Sequence, residues 1–149
     1  MGSTAIYAIL LAGILATTTM TLFSYLVSQI RNREFNEAQL LNKFIDNTKC
    51  LPEIPNENSL WGWFLHYGIG IFFTVWMYCL FITFEWQPSI WLGAVLGLIA
   101  GMVGAVGWLS LFAFHPNAPE TDLKEFLIQL LMAHCIFGAT VATILAEFI

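Results

Sequence analysis

Two histidines stand inside otherwise apolar runs of this chain. His66 is followed by Gly70 and His134 by Gly138, so each imidazole shares a helix face with a glycine one turn on. An ionisable side chain inside an apolar segment is costly, and its first reading is functional. If the two rings face one another, they could ligate the iron of haem b or hold a quinone-type head group, with Tyr67, Gly70 and Gly138 beside them. If they do not, each is a neutral imidazole hydrogen-bonded to a neighbouring helix, and the glycines permit the close approach. A metal site is not expected, because no cysteine or carboxylate is expected at their depth.

Little else in the chain offers chemistry. Cys50, Cys79 and Cys135 have no paired short spacing, which argues against a disulfide framework or a zinc knuckle and for cysteine as small apolar filler. No serine or cysteine has a base near it in sequence, and no phosphate-cradling loop is present, so no catalytic residues and no enzyme activity are expected. His115, next to Pro116, reads as a solvated cap on a helix end. Glu85 and Glu147 read as hydrated groups at a membrane boundary. The net charge of −5 carries no basic patch, which excludes nucleic acid as a partner.

The elements that must hold the histidines follow from composition. The chain is 58% hydrophobic and 10% charged, against about 25% charged in ordinary soluble domains. A chain this short exposes much of its surface, so the apolar excess calls for lipid around it. Four stretches carry no charge: 1–30, 58–84, 86–119 and 126–146. A spanning helix needs about 20 apolar residues, and a charge at mid-bilayer would cost roughly 2.5–3.5 kcal/mol. The stretches predict an all-α, four-transmembrane-helix bundle in a single domain over 1–149, with helices near 5–30, 60–84, 89–114 and 123–148. Barrel strands would be shorter and alternate in polarity. Residues Met1–Thr4 lack the positive charge of a cleavable leader, so the first stretch reads as a retained helix.

Arg31, Arg33, Lys43 and Lys49 fall between the first and second helices, and Lys124 after the third. All five positive charges thus share one side, which the positive-inside rule makes cytoplasmic, with both termini on the other. Trp61 and Trp63 fall at the inner boundary and Trp86 and Trp91 at the outer, where an apolar ring with a polar N–H is favoured. Between the first two helices, Phe35, Leu40, Leu41, Phe44 and Ile45 recur at near-helical spacing, with Glu34, Glu37, Asn42, Lys43 and Asp46 between them. This predicts an amphipathic helix over 35–45 lying on the inner membrane surface, or a docking face for a cytosolic partner, with Pro52 and Pro55 breaking the chain after it. Pro116 and Pro119 end the third helix, and Thr121 or Asp122 caps the fourth.

Small residues recur every turn: Gly93, Gly97, Gly101 and Gly104, with Gly107 beyond, in the third helix, and Ala8, Ala12 and Ala16 in the first. In lipid, close backbone approach is what holds helices together, so these rows predict helix contacts; room for a flat cofactor or a lipid tail is the other use. Gly13–Ala16 and Gly97–Ala100 share a pattern, as do the two His-x-x-x-Gly elements, which suggests two related helical hairpins.

The stretch from Trp61 to Gly70 contains Gly62, Trp63, His66, Tyr67 and Gly70. It resembles a Gly-Trp-x-x-His-Tyr-x-x-Gly element that opens the second helix in uncharacterised bacterial families of small four-helix inner-membrane proteins. The 115–119 turn and the 133–138 stretch are also similar. The resemblance implies a bacterial inner-membrane topology and draws attention to the histidines; it implies no substrate.

The expected role is a structural, accessory or interaction subunit of the membrane. The alternatives are a haem- or quinone-type ligand-binding protein using His66 and His134, and a small-solute channel or transporter lined by Thr17, Thr18, Thr19, Thr21 and Ser24. The expected partners are the lipid bilayer, other membrane subunits or a second copy in a homo-oligomer.

Overall fold

The computed structural model describes residues 2–47 and 59–149. Lys49, Cys50, Pro52 and Pro55, and the starts of the first two uncharged stretches at Met1 and Asn58, lie outside the described residues. The elements are α1 (Ser3–Arg31), α2 (Glu37–Asn47), α3 (Leu60–Thr83), α4 (Ile90–Phe114) and α5 (Leu123–Leu145). The helices α1, α3, α4 and α5 are long and apolar enough to cross a membrane. Their outward faces carry Leu60, Trp91 and Phe114, each at least 80% exposed. Hydrocarbon is the medium that leaves such faces without cost, and the chain is a multi-pass membrane protein with an all-α bundle.

Local chemistry sets the helix ends. α1 stops at Asn32, left-handed at φ 50°, with its N–H bonded to the Ser28 carbonyl. Ser59, Ser89 and Asp122 accept from the first amides of α3, α4 and α5. The last helix ends at Leu145, short of the predicted 148. The amides of Glu147 and Phe148 turn instead to carbonyls three residues back, the tighter pattern of a closing turn.

In α1 and α5, 44% of the apolar window is buried, against 22% in α3 and 28% in α4, so the first pair is central and the second flanking. α5 packs on α4 along one side and α1 on the other, and α1 packs on α3. The α4–α5 contact is backbone on backbone. A Cβ on Gly97 would run into the His134 carbonyl and Gly138, and one on Gly138 would run into the Gly93 carbonyl. Ala8, Ala12 and Ala16 are fully buried in the main core with Phe137 and Val141. α3 and α4 have no comparable contact with one another.

The segment between α1 and α3 departs from the surface helix expected over 35–45. α2 turns its apolar face inward, and Phe35, Leu40 and Phe44 join Trp108, Phe126 and Leu130 in a second core that closes one end of the bundle. Two residues expected on the polar face, Glu37 and Asn42, are buried as well. Asn42 explains its own burial: its Oδ1 accepts from the Gly62 amide at 2.7 Å, and its Nδ2 donates to the Ser59 carbonyl at 2.6 Å. The first of these bonds satisfies an amide at the start of α3 that the helix cannot pair internally. Gly62 has no side chain because a Cβ there would strike the Ala38 carbonyl. Arg33 reaches Asp122 at 2.6 Å, joining the first and third connections at this same end. The amide of Glu125 and the Arg33 guanidinium hold the Asp122 carboxyl below its ordinary range.

Candidate functional site

His66 and His134 border one cavity of about 230 Å³. It lies in the gap left by α3 and α4. Ile69 on α3 and Val103, Gly107 and Leu111 on α4 form its rim and are themselves exposed, so the cavity opens sideways toward the position of the lipid. Thr17 and Met20 of α1 and Leu130, His134 and Phe137 of α5 form the floor, and Glu37 and Leu41 of α2 close one end.

The hydrogen bonds assign the imidazole protons. Thr21 Oγ1 lies 2.7 Å from the Thr17 carbonyl, which can only accept, so a bond there uses the hydroxyl's single proton. The same oxygen lies 3.0 Å from Nε2 of His66. Both contacts are satisfied when Nε2 carries the proton and donates, which makes Nδ1 the bare nitrogen of the neutral ring. His134 Nδ1 lies 2.9 Å from the Leu130 carbonyl and must donate to it, which leaves Nε2 bare. That nitrogen points at Gly104, where a Cβ would sit 3.5 Å from it.

The other residues singled out with the histidines divide between the cavity and the helix contacts. The Tyr67 hydroxyl lies 2.9 Å from Thr18 Oγ1 on the exposed flank of α1 and does not line the cavity. Gly70 does line it, and a Cβ there would collide with Thr17 Oγ1. Gly138 belongs to the α4–α5 contact. His115 caps the end of α4 as expected, its backbone N–H bonded to the Leu111 carbonyl, but its ring is not freely solvated: it packs edge-on against Phe44 at 5.2 Å, its Nδ1 accepts from the Asn117 amide, and its Nε2 is buried without a partner among the described residues. The α1 hydroxyls do not form one path. Thr17 faces the cavity, Thr21 and Ser24 are buried in interhelical bonds, and Thr18 and Thr19 are exposed.

Sequence reasoning missed Glu37. It is 2% exposed and lines the same cavity as both histidines, so a carboxyl does share their site. Its Oε1 accepts from Ser24 at 2.9 Å, and its Oε2 is buried without a partner. Burial pushes its carboxyl up to about 7. The signal was present: Leu40, Leu41 and Phe44 follow Glu37 at three, four and seven residues, which puts the carboxylate on the apolar face of α2.

The donor set can be tested against the groups the histidines suggested. Among the described residues no three potential ligands converge on a metal position. Axial ligation of a haem between the two rings does not fit either. His66 offers Nδ1, the nitrogen beside its own Cβ, where a porphyrin plane would meet the side chain and helix that carry it. The cavity also falls below the roughly 300–1,000 Å³ of ordinary small-molecule sites. A single ring with a tail leading out between α3 and α4 matches its size and its opening.

A family described as "Family of unknown function (DUF6789)" matches residues 3–148. No curated protein and no solved structure matches the chain.

Proposed function

We propose, for a chain that belongs to this DUF6789 family, that it is a membrane protein that binds a lipid-soluble ligand in the lateral cleft between α3 and α4. The observation that carries this reading is the convergence of His66, His134 and Glu37 on a cavity whose mouth lies between the two crossing helices that do not pack together. Buried polar groups without partners cost free energy, and each imidazole keeps one nitrogen without a hydrogen-bond partner among the described residues. A ligand head group that bonds them offsets that cost, while its apolar tail stays in the bilayer. The role is binding rather than turnover, and it is compatible with an accessory subunit that presents or senses the ligand.

The end closed by α2 carries Arg31, Arg33, Lys43 and Lys124. The positive-inside rule supports a cytoplasmic position for it, in a bacterial inner membrane with both termini outside. A cysteine introduced at Ser3 should then react with an impermeant maleimide in intact cells; labelling only after lysis would reverse the orientation.

The cleft itself is tested with Gly107→Leu. Gly107 lines the mouth, and a Cβ there meets nothing within 4 Å, so a leucine fills the cleft without disturbing the core. Gly68, equally open but outside the cavity, is the control. Mass spectrometry of gently purified protein should find an apolar molecule on the wild type and on Gly68→Leu, and lose it on Gly107→Leu. Equal recovery from all three would reject the cleft.

A further inference from the structure

The lining presents two imidazole lone pairs, and this narrows what the head group can be. Two of the polar groups that line the cavity are imidazoles whose N–H is already spent. His66 donates from Nε2 to Thr21, and His134 donates from Nδ1 to the Leu130 carbonyl. What each neutral ring retains is a lone pair, and neither nitrogen has a hydrogen-bond partner among the described residues. Trp108 on the same wall carries an N–H donor, which a hydroxyl oxygen can also satisfy, since a hydroxyl accepts as well as donates.

A carbonyl-bearing head group would set its own lone pairs against those of the imidazoles. A hydroxyl-bearing head group gives each bare nitrogen a proton to accept. The walls add a second restriction: Phe73, Trp108 and Phe137 border the same space, and aromatic faces favour a flat ring over a branched polar head.

Resting on the cleft reading above, we infer that the site selects a hydroxyl-bearing aromatic head group on an apolar tail, a quinol or long-chain phenol, over the corresponding quinone. The head enters between α3 and α4 and donates to His134 Nε2, beside Gly104, and to His66 Nδ1. Glu37 closes the cytoplasmic end. The selection is one of binding alone and moves no electrons.

The discriminating measurement uses decylubiquinol and decylubiquinone, which share a tail and differ at the ring oxygens. Titration calorimetry is run anaerobically on the full chain in detergent micelles, with protein-free micelles subtracted. The quinol should bind about tenfold more tightly, or about 1.4 kcal/mol, and its binding should disappear in Gly107→Leu while surviving in Gly68→Leu. In a His134→Gln variant, which keeps polarity but moves the acceptor, the preference should shrink toward unity. Equal affinity for the two forms, or tighter binding of the quinone, with both abolished by Gly107→Leu, overturns the head-group inference and leaves the cleft standing. Binding that Gly107→Leu does not weaken overturns the cleft, and failure of both forms to bind the wild type overturns both.

Discussion

Glu37 on α2 accepts a hydrogen bond from Ser24 on α1 at 2.9 Å, inside the bundle rather than on its surface. Ser24 in turn accepts from Gln129 of α5, so one carboxyl ties the closing helix to both central helices. Glu34 adds a repulsive charge that favours the neutral acid, and Lys43 is directed to Glu34.

The Glu37 carboxyl titrates at about 7 in the fold and at 4.5 in its ordinary state. Between those values the folded chain holds the proton more tightly, so stability is full below about pH 4.5 and falls as pH rises toward 7. The loss amounts to about 3 kcal/mol at most. Thermal unfolding in detergent should show this slope. Glu37→Gln, neutral throughout, should flatten it and raise Tm at pH 8; an unchanged slope would place the titration elsewhere.

At the α4–α5 contact, Gly97→Ala should be among the most damaging of small substitutions. The added methyl meets the His134 carbonyl, a backbone atom that cannot rotate away. Overpacking of this kind costs about 1–3 kcal/mol or more. Gly107→Ala, with open space around its Cβ, should change stability by less than about 0.5 kcal/mol. Parallel Tm measurements on the two variants make the comparison, and equal effects would contradict the packing described.

Thr21→Val should cost about 1–3 kcal/mol, because it leaves the buried Nε2–H of His66 without its acceptor. Tyr67→Phe removes an exposed bond to Thr18 and should cost about 1 kcal/mol or less. Nitrogen NMR of the imidazoles gives an independent reading: His66 should be the Nε2–H tautomer in the wild type and in Tyr67→Phe, and should lose that single state in Thr21→Val. The Nδ1–H tautomer in the wild type would reverse the assignment of its bare nitrogen.

The four crossings were legible because lipid imposes a local rule: each span must be long, apolar and internally hydrogen-bonded, whatever its neighbours are. Composition and uncharged length report that directly, and the cap at Asp122 marks where one of the spans begins. The histidines were legible for the same reason, since an imidazole in an apolar run stands out one residue at a time. The inward turn of α2 was not. Apolar spacing shows that Phe35, Leu40 and Phe44 share a face, but lipid and a protein core offer that face the same apolar medium.

The sequence by itself therefore determined the medium, the number of spans and the two histidines inside them. Only the tertiary structure decided that α3 and α4 stand apart, that His66 and His134 border the space between them, and that Glu37 closes it. The reason is physical. Insertion into a bilayer is a property of each segment, whereas a cleft is the part of a bundle where packing fails to close, and that depends on every glycine contact elsewhere in it.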